Sequence, residues 1–391
     1  MPASIAIAGA GIAGLTSALA LARRGHDITI FEREADLGEA GAGLQLSPNA
    51  TRVLRTLGVL DHLHAVAVQP DAVLLRSARN GSVKSRLPLG EKAQDRWGAP
   101  YLTCHRADLQ GALLKCVTAD PNIKLTLDAP AQGFSFTSDG VSHPRSEAQF
   151  QLLLAADGIW SSLREKVTSL DARFTARIAC RAMLSGDHPA ARELFGTTHN
   201  VHAFMASGFH TVAYPVSGGT AYNLVVVLPG GETQRGWVQG ADLDLLRHAL
   251  GGTILAPLTK AASDWSQWPL YEVPALESWS RPPNLLLVGD AAHALTPYAA
   301  QGAAMAIEDA SVLAGLLDDT DSVAQALVKF ERQRIPRIEQ VRRRGGFNSF
   351  AWHAAGPVAL VRDLVLKHRT GEKLMADFDW LYGWHTDNRS G

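Results

Sequence analysis

Short apolar runs alternate with helix-period segments through the first half of the chain. Ser4–Ala8 is short and almost wholly apolar, the pattern of a strand buried on both faces. Residues 12–24 follow with Ala13, Ser17, Ala18 and Ala20, small enough for a helix to lie close on a sheet, and Gly25 suits its cap. Asp27–Phe31 is a second apolar strand. Residues 39–60 read as a glycine-rich loop leading into a helix, with Ser47 or Asn49 capping it and Val53, Leu54 and Leu57 on its buried side. Residues 71–89 alternate around Asn80-Gly81, a hairpin signal. Leu109, Leu113, Leu114 and Val117 predict a helix from about Ala107, with Arg106 just ahead of it. Short strands, with a turn at Ser138-Asp139-Gly140, lead to the buried strand Leu152–Ala155. Residues 161–167 are expected to be helical and to carry Arg164.

From about Arg177 the period shortens to two. Residues 210–219 and 220–231 predict an antiparallel hairpin turning at Ser217-Gly218-Gly219. Residues 240–250 read as helix, and Trp265 to Trp268 as loop. A buried strand returns at 283–287, followed by a helix over 302–317. Residues 322–344 predict an arginine-rich helix kinked or broken by Pro336. Arg332, Arg334, Arg337 and Arg342 to Arg344 are expected on a solvated face; docking of a second anionic cofactor is the alternative. The tail from Phe347 to Trp384 is apolar and aromatic and must pack, as a covering helix or a subunit contact.

The pattern predicts an α/β fold in which a Rossmann-like nucleotide lobe is discontinuous. Residues 1–70, 100–176 and 276–345 would form that lobe. An interleaved antiparallel-sheet lobe for substrate would come from 71–99 and 177–275, with a C-terminal helical segment over 346–391. Composition changes this picture little. At 46% hydrophobic and 19% charged the chain is ordinary globular material, and a net charge of −1 gives no footing for nucleic acid or an anionic membrane. Cys104, Cys116 and Cys180 fit neither a metal spacing nor a disulfide framework, which favours a reducing compartment. No run of about 18 apolar residues exists and the chain opens directly on a strand, so a cytoplasmic protein, monomeric or homodimeric, is expected.

Two stretches carry chemistry. Gly9-x-Gly11-x-x-Gly14 lies between a strand and a helix, with Glu32 ending the next strand about twenty residues on. The first glycine turns the chain, the second admits a pyrophosphate, and the third, with Ala13, permits close helix packing. An acid at 32 suits an adenosine with a free 2′-hydroxyl, hence FAD or NAD. Residues 285–310 place Asp290 at a strand end, then Gly302, Ala303 and Ala304 at a helix N-terminus, where N–H groups and the helix dipole can face a ligand.

These motifs, in order with Ala156-Asp157-Gly158 and Arg164, the GAGLQLSPNA stretch at 41–50, the His105-Arg106-Ala107-Asp108-Leu109 segment and Pro297, resemble the class A flavoprotein aromatic hydroxylases. The resemblance implies the para-hydroxybenzoate hydroxylase fold. The likeness runs over residues 1–345 and is nearest to the salicylate, 3-hydroxybenzoate 6- and 6-hydroxynicotinate hydroxylases. It implies FAD as cofactor and NADH or NADPH as co-substrate. O2 would give a C4a-hydroperoxide whose distal oxygen attacks an electron-rich, phenolic acid-like ring. It further implies Glu32 on the adenosine ribose with Arg33 near the adenine, and Arg106 on the FAD chain. Asp157 would lie by the pyrophosphate and the approach of the nicotinamide nucleotide, and Asp290 on the ribityl chain. Gly302, Ala303 and Ala304 would face the flavin pyrimidine edge, with Pro297 near its reactive face.

Activating a phenol, whose pKa is near 10, calls for a nearby base or donor network. His210 and Tyr214, four apart on a strand, project to one face, and the hydroxynicotinate enzymes carry a similar pair. His210 would meet the phenolic oxygen and Tyr214 would orient it; otherwise both simply pack in the sheet. No arginine pair for a substrate carboxylate can be read from 177–275, although Arg181 and Arg235 lie there. The alternatives are an FAD-dependent hydroxylase or epoxidase of a larger polyketide, quinone or terpenoid, an NAD-dependent dehydrogenase, or a nucleotide-binding regulator.

Overall fold

The computed structural model describes residues 2–38, 43–137, 140–197, 199–232, 239–281 and 283–386. Ser138-Asp139 of the expected turn, the start of the 41–50 stretch and Arg235 lie outside the described residues. Two sheets organise the rest. The first has six strands in the order Ser280–Arg281, Leu285–Leu287, Leu152–Ala155, Ser4–Ala8, Asp27–Phe31 and Ile123–Thr126. All neighbours are parallel except the two-residue edge strand. The helices Ile12–Ala22, Arg106–Ala119 and Gly302–Asp318 pack together against it. Their small residues are used: a Cβ on Gly289, at the end of the Leu285–Leu287 strand, would stand 2.8 Å from the Ala13 Cβ and 3.3 Å from that of Ala306.

The second sheet has eight strands, ordered Gln239–Gly240, Ser266–Glu272, Arg173–Ser185, Ala221–Pro229, His210–Val216, Asn200–Met205, Ala72–Ser77 and Val83–Pro88. Its pairing is antiparallel save where Asn200–Met205 meets Ala72–Ser77. Period-two alternation gives it two different faces. One presents Ile178, Cys180, Phe204, Leu224 and Val226 to the helices Pro189–Phe195, Leu243–Leu250 and Leu258–Ala261, forming a separate core. The other carries Val201, Tyr214 and Val216.

Several expectations needed correction. Ser266–Glu272 is a strand, not loop, because it completes the ladder beside Arg173–Ser185. Gly43–Leu46, read as part of a glycine-rich loop, is a short strand because it pairs with Leu102–His105. The helix expected over 161–167 shrinks to one 3-10 turn at Arg164–Lys166. Asp157 Oδ2 accepts the Ser162 and Leu163 N–H groups while its Oδ1 is buried without a partner, and Arg164 donates to the Ile159 and Ala291 carbonyls and to Asp171 (2.6 Å), so side-chain bonds to the loop backbone take the place of further helical turns. Pro336 neither breaks nor ends its helix, which runs over Val323–Trp352. The proline is exposed, and Arg334 and Arg337 on either side of it are anchored to the neighbouring helix. Those two arginines are buried, against the expected solvated face. The chain then ends in the helices Gly356–His368, Gly371–Ala376 and Asp379–Tyr382, the first two of which contact the Val83–Pro88 strand.

Candidate active site

The cradle at the head of the first sheet is made mostly of backbone. Gly9 has φ +105°, its N–H donates to the Phe31 carbonyl at 2.8 Å, and a Cβ there would lie 2.5 Å from the Ala156 carbonyl oxygen. A Cβ on Gly14 would come within 1.9 Å of the Gly9 carbonyl oxygen, whereas Gly11 faces open space. Gly11 precedes the Ile12–Ala22 helix, which has no side-chain cap and no acid in its first turn. Its leading N–H groups are therefore available to a ligand. Glu32 is fixed by two backbone donors, Ala10 N–H at 2.7 Å and Glu34 N–H at 3.0 Å. Arg33 is exposed and pairs with Glu34 at 3.0 Å. Arg106 opens the Arg106–Ala119 helix, and Gln110, one turn on, donates to the Ala10 carbonyl at 3.2 Å. Sequence reasoning missed Gln110, although its i+4 spacing from Arg106 was a usable signal.

Burial raises the Asp157 pKa above the usual carboxylate range, more than its hydrogen bonds lower it. Asp290 is exposed and opens the short helix Asp290–His293 behind Gly289, whose φ is +60°. The Gly302–Asp318 helix again lacks a side-chain cap and a first-turn acid; Gly302 and Ala303 are half-buried and Ala304 is buried. Two bare helix N-termini, a glycine cradle and an exposed carboxylate between them fit an elongated, doubly phosphorylated dinucleotide.

Beneath the second helix lies a buried ionic network that the sequence reading missed. Arg334 donates to Glu308 at 2.6 Å and to Asp309 at 2.7 Å, and Arg337 donates to Glu308 at 2.8 Å. Asp309 also meets His293 Nε2 at 2.6 Å. Asn49 donates to Glu308 at 2.7 Å and to Gln301 at 3.2 Å, and Gln301 donates to Ser47 at 3.0 Å. This network holds the Gly302 helix start against the 47–49 segment. Arg337 extends it to the Trp380 and Leu381 carbonyls of the C-terminal segment.

A cavity of about 680 Å³ lies between the open face of the eight-stranded sheet, the Pro297–Ala299 turn and the helices Val323–Trp352 and Gly356–His368. Val73, Leu75, Ala203, Met205 and Val212 form its apolar floor, and Pro297 lies on its wall. Gln45, Tyr101, Ser85, Arg344 and Asn348 are polar groups on it; Tyr101 donates to Gln45 at 2.7 Å and Asn348 to the Tyr298 carbonyl at 2.9 Å.

His210 and Tyr214 flank Val212 on that same sheet face, yet they occupy different surroundings. His210 is buried among Tyr298, Trp352 and His353, with its Nδ1 3.0 Å from His353 Nε2. Burial, and then the neighbouring His353 and Arg177, push its pKa well below the ordinary histidine value, and burial takes His353 down to about 4. Both rings are neutral at neutral pH. Tyr214 is buried beside Gly43 and Asn223, and burial raises its pKa although Arg181 opposes the shift. Among the described residues neither His210 Nε2 nor the Tyr214 hydroxyl has a protein hydrogen-bond partner.

The glycine cradle, the two bare helix N-termini and the cavity beside them fit a dinucleotide-binding protein with a separate pocket for a second molecule. Comparison with known proteins makes this specific. Residues 2–344 match the family described as FAD binding domain, and the chain belongs to that family. It is 32% identical over 391 residues to 3-hydroxybenzoate 6-hydroxylase 1 of Aquipseudomonas alcaligenes, covering 98% of each chain. It is 34% identical to 3-amino-4-hydroxybenzoate 2-monooxygenase of Streptomyces cremeus, over 97% of this chain and 94% of that one. The crystal structure of Klebsiella pneumoniae HpxO complexed with FAD and uric acid shares the fold, with a TM-score of 0.83, 23% identity and coverage of 97% and 96%. The chain is an FAD-dependent flavoprotein monooxygenase of the aromatic hydroxylase type.

Proposed function

We propose that this enzyme inserts one oxygen atom of O2 into a phenolic acid-like aromatic substrate, using NADH or NADPH as reductant. FAD, when bound, supplies the electron transfer and oxygen activation. Glu32 and Arg33 would hold its adenosine end and Arg106 its chain. Asp157, at the Ala156-Asp157-Gly158 turn, would stand near the pyrophosphate. Asp290 would hold the ribityl chain, with the Gly302 to Ala304 backbone at the pyrimidine edge. The N-terminal dipole of the Gly302–Asp318 helix favours negative charge there. Pro297 lines the cavity wall and would lie near the reactive face of the flavin, and the apolar floor would disfavour water there.

One observation carries the substrate reading: His210 and Tyr214 lie on either side of the cavity-floor residue Val212 on one sheet face, and among the described residues neither His210 Nε2 nor the Tyr214 hydroxyl has a protein partner. A neutral imidazole held through Nδ1 can accept a phenolic hydrogen bond at Nε2 and draw electron density into the ring; Tyr214 fixes the direction of that oxygen. The test is a panel of hydroxybenzoates, hydroxynicotinates and non-phenolic benzoates, scored for stimulated NAD(P)H oxidation and for oxygenated product. Coupled turnover confined to the phenols supports the reading; equal stimulation by the non-phenolic acids contradicts it. The volume of about 680 Å³ favours one second reading, a bulkier polyketide, quinone or terpenoid, so bicyclic phenols belong in the panel.

A further inference from the structure

Three arginines line the cavity, and they are treated differently. Arg362 is paired with Asp363 at 2.7 Å and donates to the Ala351 carbonyl at 2.9 Å. Arg369 is paired with Asp377. Arg344 has no such answer: its Nε is buried without a hydrogen-bond partner, and among the described residues no carboxylate pairs with its guanidinium. The group lies 4.6 Å above the Phe378 ring, which is itself stacked on Tyr382. An aromatic face supplies far less to a guanidinium than the charge-assisted hydrogen bonds of a carboxylate. Burial accordingly lowers the Arg344 pKa.

The placement of Arg344 is as informative as its missing partner. One turn further along the same helix, Asn348 donates to the Tyr298 carbonyl, and Gly345 packs on the Ala299 Cβ at 3.9 Å. Arg344 therefore stands on the helix face that borders the Pro297–Ala299 turn. On the opposite, strand side of the cavity the Ser85 hydroxyl is likewise buried without a partner.

We infer that Arg344 is the substrate-binding residue that takes the carboxylate of the aromatic acid, setting the enzyme's preference for acids over neutral phenols. The inference rests on the proposed function and chooses Arg344 over Arg181 of the sheet, whose Nε is also buried without a partner but which does not line the cavity. A planar carboxylate fits the guanidinium fork in a bidentate manner, and one unanswered cation in an apolar cavity suits one monoanionic group. Its attraction acts across a wall of Val, Leu, Phe and Trp side chains, where a neutral analogue would leave the arginine unpaired.

The test compares Arg344→Gln and Arg344→Lys with wild-type holoenzyme, using 3-hydroxybenzoate and 3-hydroxybenzamide as probes. Binding is read from the perturbation of the flavin spectrum and turnover from product formation. Retained flavin absorbance and an unchanged melting curve show that the variants fold. Arg344→Gln is expected to weaken the acid about 10- to 100-fold and the amide less than about 3-fold, with Arg344→Lys recovering part of the loss. Equal effects on acid and amide, or none on either, overturn the anchor and leave the oxygenase activity standing. Selective loss of acid binding in an enzyme that oxygenates neither probe upholds the anchor and counts against the proposed activity.

Discussion

The cofactor cradle and the substrate cavity meet at the Pro297–Gly302 turn, and they are built from opposite materials. The cradle works through backbone: glycines that tolerate no Cβ, helix N-termini without caps, and a carboxylate whose two oxygens are already held by N–H groups. The cavity works through side chains contributed by strands 72–77, 83–88 and 200–205 and by helices beyond residue 323. A dinucleotide is invariant, so a rigid local geometry can recognise it. A substrate ring is recognised by a few polar tips set in an apolar wall, and those can change without disturbing the scaffold.

That contrast can be broken at its strongest point first. Gly14→Val places a side chain where even a Cβ would stand 1.9 Å from the Gly9 carbonyl oxygen. The purified protein should carry no flavin absorbance, whereas a yellow, active variant would show that the cradle is not rigid. Glu308→Ala comes next. It leaves Arg334 and Arg337 buried without one of their carboxylates, and loss of a buried partner costs about 3–5 kcal/mol. A melting temperature lowered by less than about 3 °C would contradict the network's role.

His210→Ala addresses the cavity instead. Hydroxylation should slow by about 100-fold with NAD(P)H oxidation diverted to hydrogen peroxide, while flavin content stays unchanged. Full coupling in the variant would remove His210 from the chemistry. The smallest effect is one of pH. His202 is buried and accepts from Arg76 at 3.1 Å; burial and that arginine's charge push its pKa down to about 3. The unfolded chain therefore binds the proton first as pH falls below about 6.5. Stability conferred by the neutral ring is complete above that value and is lost progressively down to about pH 3. At pH 5 the loss amounts to about 1–2 kcal/mol, and His202→Gln should flatten the dependence of melting temperature on pH in this window.

The same division explains what the sequence made legible. Ser4–Ala8, Asp27–Phe31 and Leu152–Ala155 could be read to the residue because strands buried on both faces are continuous apolar runs. The glycine spacing and Glu32 were equally plain, since everything that makes them a cradle lies within about thirty residues. His210 and Tyr214 were placed on one sheet face by simple alternation, but nothing local indicated that His353, 143 residues away, would bond to His210. The arginines of Val323–Trp352 were harder still. Their periodicity looked solvent-facing because the partners that bury Arg334 and Arg337, Glu308 and Asp309, sit on a different helix. Arg344 is told apart from them only by lacking such partners, which no sequence pattern encodes.

The most direct test of the whole account is isotopic. Purified holoenzyme supplied with NAD(P)H, a hydroxybenzoate and 18O2 should yield a dihydroxylated product carrying one 18O atom, in amounts matching the reductant consumed. Oxidation of NAD(P)H matched entirely by reduction of 18O2 to labelled hydrogen peroxide, across the full panel of phenolic acids and bicyclic phenols, would contradict it.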